Sequence, residues 1–376
     1  MSDRRPSICF VAPNAFPLLA RDEETPVIGG AELQQVTIAK GLAARGYPVS
    51  MICLNFGQQD RVEIDGVKVF RACRPDEGIP ILRFVWPRLA SIWSCLKRCD
   101  ADIYYQRAAG MLTGVVAAFA RRHAKKSVFA AAGNPDFERK TPRIRYARDR
   151  WIYEYGLRHV ARILTQNEEQ ARLCRLNFER DSTQIPNCYA AAANQAASAN
   201  RHVLWVSTIR KLKRPELFLD VAEALPAYRF QMIGGPGIGE AQLFDSIKAR
   251  AETIPNVEFL GFVPFSKVEG HFDEASIFVN TSDSEGFPNT FLQAWSRGIP
   301  TVSFVDSGAR AEGDPLGRQV NTVEEMADCV AAWLRNNTER TSEGEKCRRY
   351  FASNHSPERV LDLYEEFFGE LVTRYA

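Results

Sequence analysis

The sequence predicts two doubly wound α/β lobes with a cleft between them, and three observations carry that expectation. Short apolar runs of strand length alternate with longer stretches of helical spacing in both halves of the chain, the pattern of parallel sheets with helices on both faces. At 376 residues the chain exceeds what one hydrophobic core ordinarily organises, so two domains are expected. The stretch PNCYAAAANQAASANR has no charge before Arg201 and no apolar periodicity, which marks residues 187–201 as an interdomain linker. The lobes then cover 1–186 and 202–356, with a final helix over 357–376.

Bulk properties exclude several classes. Lys and Arg (48) nearly balance Asp and Glu (46), a net charge of +2, so nothing drives the whole chain toward nucleic acid. The nine cysteines are scattered, and Cys95 and Cys99 have no second pair at metal-ligand spacing; they read as reduced thiols in a cytoplasm. The N-terminus MSDRRPSICFVAP has too short an apolar run for a signal peptide, and no run approaches membrane-spanning length, so a cytoplasmic protein is expected, with the inner membrane face as a further location.

In the first lobe, Ser7 to Pro13 reads as a buried strand, followed by a long loop to Gly29 and Gly30 and the helix AELQQVTIAKGLAARG, closed by Gly46. Two glycines at a strand-to-helix loop let a ligand approach the backbone, and the helix start adds amides; a GG pair is also an ordinary turn. Then come PVSMICLN, ADIYYQ with GMLTGVVAAFARRHA, KSVFAAA with a polar loop, and RILTQ with NEEQARLCRLNF. Asp100-Ala101-Asp102 spells a DxD metal signature but directly precedes a strand, where solvated Asp is common; no metal site is expected. The loop AAAGNPDFERK lies at the carboxyl end of its strand, where open α/β sheets place ligands. Its Asp136 is a candidate base for an attacking hydroxyl, or a helix cap. Residues 83–98 and 139–162 mix aromatic and basic side chains, including Trp86, Trp93, Arg148, Trp151 and Arg158. They are candidates for peripheral membrane contact through interfacial helices, or core-facing helices with solvated basic faces.

In the second lobe the strand HVLWVS leads to TIRKLKRPELFLDVAEAL, where Pro215 opens a helix just behind Arg210, Lys211, Lys213 and Arg214. Cations at a helix start suit a diphosphate. YRFQMIG ends in GGPGIGE, whose spacing is not GxGxxG and whose strand is not first in its lobe, so NAD binding is rejected. The central stretch is IFVNTSDSEGFPNTFLQAWSRGIPTVSF, residues 277–304. It reads as strand, loop and helix, with Pro288 at the first helical position and the amides of Asn289 and Thr290 at the helix start as a phosphate cradle. Glu285 beside it can accept hydrogen bonds from sugar hydroxyls. Asn280-Thr281-Ser282 is a formal glycosylation acceptor, of little meaning without a signal peptide. Residues 305–320 read as loop. Helices follow near 322–336 and from Pro357, where Val360, Leu361, Tyr364, Phe367, Phe368 and Leu371 form a core-facing stripe.

The segment Glu285-Gly286-Phe287-Pro288 resembles the start of the Glu-x7-Glu signature of retaining family 4 glycosyltransferases of the GT-B fold, with Gln293 where the second Glu stands; the GGAE opening is similar too. The resemblance implies two Rossmann-like lobes, with the acceptor on the first, the donor on the second, and the final helix crossing back to the first lobe. It implies transfer of a sugar from a UDP-, GDP- or ADP-sugar to a glycan, lipid-linked or small-molecule hydroxyl, with retention of configuration and no resident cofactor or metal. Polysaccharide or cell-envelope assembly is the expected setting. Glu285 would contact the donor sugar, Gln293 the ribose, and Lys213 with Arg210 the leaving diphosphate. Phe262 and Val263 of the LGFV turn would lie beside the base, with Gly234, Gly286, Phe287, Pro288, Asn289 and Thr290 completing the donor site and Gly29 and Gly30 facing phosphate or acceptor. A nucleotide-sugar-binding protein with weakened catalysis and a sugar-nucleotide epimerase of the same fold are the rival expectations.

Overall fold

The computed structural model describes residues 4–22, 29–77, 84–139, 144, 146–190 and 202–373. The chain divides into two compact units: Met1–Cys188 with Pro357–Ala376, and Tyr189–Ser356. The boundary at Cys188 falls at the start of the expected linker; residues 191–201 of that linker lie outside the described residues.

Unit 1 is built on strands β1 (Ile8–Val11), β2 (Val49–Cys53), β3 (Glu63–Ile64), β4 (Val67–Arg71), β5 (Ile103–Arg107), β6 (Lys126–Ala130), β7 (Arg162–Thr165) and β8 (Thr183–Gln184), in the sheet order β3-β4-β2-β1-β5-β6-β7-β8. Every pairing but β3 with β4 is parallel. Parallel strands are covered on both faces, which is why β1 is apolar at every position. Ile8 and Phe10 enter one core; Cys9 and Val11 enter the opposite one.

Helices α1 (Phe16–Leu19) and α2 (Gly30–Ala44) share the first core with the last helix. Helices α3 (Ala90–Cys99) and α4 (Met111–Arg122) cover the other face, and α5 (Ala147–His159) and α6 (Glu168–Phe178) complete the layer. The α4–α5 crossing is backbone on backbone: a Cβ on Gly114 would lie 2.1 Å from the Ile152 carbonyl oxygen, and one on Gly156 would lie 2.6 Å from the Gly114 nitrogen. The DxD carboxylates sit at the amino end of β5, away from the ligand-binding edge. Asp102 accepts hydrogen bonds from the Ser7 amide and hydroxyl, both at 2.8 Å, and Asp100 pairs with Lys125.

In unit 2, β9 (His202–Val206), β10 (Phe230–Ile233), β11 (Val257–Gly261), β12 (Ala275–Asn280) and β13 (Thr301–Ser303) form a parallel sheet. The sequence alone suggested a plain loop for 305–320. It contains instead a hairpin, β14 (Arg310–Ala311) with β15 (Asp314–Pro315), and the edge strand β16 (Arg318–Gln319), giving the order β11-β10-β9-β12-β13-β16. Helices α7 (Pro215–Ala224), α8 (Ala241–Ala251), α9 (Phe265–Asp273), α10 (Asn289–Trp295) and α11 (Val323–Arg335) flank it.

A further helix, α12 (Asn337–Asn354), was not evident from the sequence, because only Arg340, Gly344, Cys347 and Phe351 of its 18 residues are buried, too few for an apolar stripe. Asn336 separates it from α11 and caps it, its Oδ1 accepting the Glu339 amide at 3.2 Å. Helix α13 (Pro357–Thr373) returns to unit 1, where Tyr364, Phe367 and Phe368 enter the β1–β2–β5 core. Among the described residues, no helix is long and apolar enough to cross a membrane.

Candidate active site

In unit 2 the chain runs β9 to β10 to β11 on one side of the sheet and then resumes at β12 on the other side of β9. A doubly wound sheet opens a crevice at such a reversal, outside the carboxyl ends of the two strands. The loops leaving β9 and β12 carry the cationic stretch and the Glu285 segment, so topology alone brings them together. Their backbones are tied where the Asp283 amide donates to the Leu212 carbonyl at 3.0 Å.

The 3-10 turn Lys211–Lys213 ends at Arg214, whose φ of 46° is left-handed, and Pro215 then starts α7. That kink directs the Lys213 side chain across to Glu285: Nζ donates to Oε1 at 2.5 Å, with the two side chains 18% and 16% exposed. The same Oε1 accepts from Ser282 Oγ at 2.7 Å and Asn280 Nδ2 at 3.3 Å. Thr281 Oγ1 donates to the Lys213 carbonyl at 2.8 Å and accepts from Trp205 Nε1 at 2.9 Å. The three residues that spell a glycosylation acceptor are thus buried and hold this ion pair in place.

The other cations divide. Arg214 pairs with Asp283 at 2.8 Å and lies over the Phe304 ring, while Lys211 is exposed. Arg210 is exposed and lies against Gly237, where a Cβ would come within 2.7 Å of its Cγ. Gly235 in turn touches Phe262, whose Cβ is 3.1 Å from the place a Gly235 Cβ would occupy. The GGPGIGE loop and the LGFV turn, with half-buried Phe262 and Val263, therefore lie beside the cationic loop. Gly234 itself serves packing, since a Cβ there would meet the Ser207 carbonyl oxygen at 2.0 Å.

The segment after Glu285 differs in detail from expectation. Pro288 caps the helix rather than opening it; α10 starts at Asn289 and has only seven residues. Gly286, Asn289 and Thr290 are half-buried beside it. Phe287 points away from solvent, stacked on His355 at 4.9 Å and edge-on to Trp295 at 5.9 Å, so its side chain anchors the loop from behind. Gln293 is 3% exposed and its Nε2 has no hydrogen-bond partner among the described residues.

The remaining candidates lie in unit 1. Gly29 caps α2 and Gly30 begins it, with the Glu32 carboxylate folded over Gly29. Asp136 is fully buried, and its Oδ2 accepts the Ala132 amide at 2.6 Å while Tyr153 donates to its carbonyl. A carboxylate without exposed surface, engaged with its own loop, does not reach a substrate hydroxyl, and the turn Asn134–Phe137 that carries it has no side-chain cap hydrogen bond. Sequence reasoning missed Asn280, Ser282 and Thr281 as supports of Glu285 and Lys213, although three consecutive polar residues at the end of an apolar strand were a usable signal.

Two family models match the chain. One, described as glycosyl transferases group 1, covers residues 200–336, and the other, described as a glycosyl transferase 4-like domain, covers 29–188. The chain belongs to the group 1 glycosyl transferases. Among solved structures it is similar to a sucrose-phosphate synthase from Thermosynechococcus elongatus (TM-score 0.77, 15% identity, covering 98% of this chain and 100% of that one). It is also similar to the Anabaena protein HepE, solved with UDP and glucose (TM-score 0.74, 14% identity, covering 97% and 100%). These establish the GT-B fold for this group 1 chain. A curated relative, the Escherichia coli O-antigen biosynthesis glycosyltransferase WbnH, is 33% identical over 100 residues. That match spans 27% of each chain.

Proposed function

We propose that the protein transfers a sugar from a nucleotide diphosphate sugar to a hydroxyl of a glycan or lipid-linked acceptor, with retention of anomeric configuration, in the assembly of a cell-surface polysaccharide. The observation that carries this is the Lys213–Glu285 pair at the strand-order reversal of unit 2. An ammonium has three donors and Glu285 uses one, so Lys213 can face a diphosphate while remaining paired.

On this reading Lys213 and Arg210 stabilise charge developing on the departing diphosphate, where preorganised donors contribute most. Glu285, held by Ser282 and Asn280, takes the sugar hydroxyls through its carboxylate. The base lies along Phe262 and Val263, and a ribose hydroxyl satisfies the buried Gln293 amide. The HepE complex with UDP makes a uridine nucleotide the first donor to test, and the resemblance of one segment to an O-antigen enzyme supports the setting. Because side-chain cations supply the charge, turnover should be unaffected by EDTA.

Among the described residues, a membrane-surface acceptor finds support on α5. Trp151 is 69% exposed and stacks on Tyr155, with Arg148 and Arg158 beside it in sequence and exposed. In the other segment expected at a membrane, 83–98, helix α3 turns its apolar side inward: Ile92, Cys95 and Leu96 belong to the unit 1 core, and Trp93 packs edge-on to Phe119. Arg83, Lys140, Arg143 and Arg145 lie outside the described residues, as do the side chains of Phe84 and Trp86.

Thermal-shift screening against UDP-, GDP- and ADP-sugars, followed by product analysis with the stabilising donor, tests the proposal. Tight donor binding without transfer or hydrolysis for any acceptor would overturn it in favour of a binding protein. Conversion of the donor with no acceptor present would favour an epimerase.

A further inference from the structure

Unit 1 has its own strand-order reversal. The chain runs β1, β2, β4 on one side and resumes at β5 on the other side of β1. At the carboxyl end of β5 stands Arg107, 7% exposed. A guanidinium is always charged and costly to bury; the Asp136 carboxylate attracts it, but no carboxylate lies within ion-pair distance of it among the described residues. Its contacts are neutral: Nη2 donates to Asn187 Oδ1 at 2.6 Å and Nη1 to the Tyr105 hydroxyl at 3.4 Å. Its Nε has no hydrogen-bond partner among the described residues.

The same sheet edge carries further unsatisfied polar groups. Ala108 bonds Ala130 across β5–β6, Ala131 bonds Leu164 across β6–β7, and Gln166 Nε2 donates to the Ala131 carbonyl at 2.8 Å. The loops after β5, β6 and β7 are thereby adjacent. Within them Asn134 Oδ1, Gln166 Oε1 and Gln170 Nε2, although buried, have no hydrogen-bond partner among the described residues. Buried polar groups are seldom left unmade, and each costs about 1–3 kcal/mol if nothing meets it. One cation with an unpaired N–H and two amides, Asn134 and Gln166, with unpaired positions match a small molecule that has both an anionic group and hydroxyls.

We infer that Arg107, with Asn187, Asn134 and Gln166, forms a subsite on unit 1 for an anionic sugar, either a sugar phosphate or a uronic acid, which serves as the acceptor. This rests on the reading of the protein as a glycosyl transferase whose first unit takes the acceptor. The anion sits against Arg107 Nε and Nη2, and the sugar hydroxyls meet the amide side chains.

The test titrates the full chain with inorganic phosphate and, separately, with methyl glucuronide, in wild type, Arg107→Gln and Lys213→Ala. Saturable binding of at least one probe is expected in wild type and in Lys213→Ala, falling at least tenfold in Arg107→Gln. Preference for one probe over the other distinguishes phosphate from carboxylate. Absence of binding in wild type, or equal affinity in Arg107→Gln, overturns the subsite. If Arg107→Gln does not fold, Arg107→Lys replaces it: it keeps the charge and loses the Nε–H and the fork, and affinity equal to wild type overturns the proposal. UDP titration of the same proteins is expected to show a loss in Lys213→Ala and no change in Arg107→Gln. Failure of wild type to bind UDP or any other donor nucleotide counts against the transferase reading and leaves the phosphate result to decide the subsite.

Discussion

Replacing Lys213 with Ala removes one cation from a site in which it is 18% exposed. A phosphate charge about 4 Å from the ammonium interacts with it by about 4 kcal/mol at an effective dielectric constant of about 20. Loss of one preorganised charge-stabilising donor ordinarily costs about 2.7–4 kcal/mol of transition-state stabilisation, or about 10²–10³ in turnover. The two figures agree, so kcat should fall by about two to three orders of magnitude, more than KM rises.

The fold should survive. Glu285 keeps Ser282 Oγ at 2.7 Å and Asn280 Nδ2 at 3.3 Å, so the stability loss should stay near 1–3 kcal/mol for a part-buried carboxylate that loses one partner. Steady-state transfer with the donor found by thermal shift, together with a melting curve of each variant, is the assay. Glu285→Gln and the double variant complete a cycle in which the effects should fall well short of additive. Wild-type turnover in folded Lys213→Ala would refute the reasoning, and strict additivity would show that the pair does not act as a unit.

Other predictions follow from packing and protonation. Gly114→Ala forces a Cβ into the Ile152 carbonyl at the α4–α5 crossing and should cost about 2–3 kcal/mol of overpacking strain; calorimetry should show a melting temperature lower by several degrees, and an unchanged one would refute the close approach. His202 is buried, and burial depresses its pKa below the ordinary value of 6.5. As pH falls through 6.5 the unfolded chain takes up this proton before the folded one does, so stability present above that pH is lost below it. Denaturation midpoints at pH 8 and pH 5.5 should converge in His202→Gln relative to wild type, and an identical pH dependence in both would refute the assignment.

The fold was legible because strand and helix periods alternate plainly, and because β1, β5 and β9 are apolar enough to name themselves as buried parallel strands. Lys213 and Glu285 were legible through the cation cluster before Pro215 and the Glu-Gly-Phe-Pro run. Arg107 was not: one arginine at the end of a strand has no spacing that distinguishes it from a solvated one, and its burial depends on Asn187, eighty residues away. Asp136 misled for the converse reason, since a loop carboxylate at the right sheet edge gives no sign in sequence that it turns back on Ala132. Helix α12 was hidden by its own polarity, and the role of Phe287 by His355, a partner nearly seventy residues on.

The placement of α13 has a consequence for biosynthesis. The core of unit 1 receives Tyr364, Phe367, Phe368 and Leu371 from a helix encoded after the whole of Tyr189–Ser356. At ribosomal rates of about 5–20 residues per second, the intervening segment takes about 10–30 s to emerge. Throughout that interval the nascent sheet of β1 to β8 presents the oily face that α13 will cover, while unit 2 already has all its strands. Segments made first are therefore finished last, and the interval is one in which a holdase has a defined surface to grip.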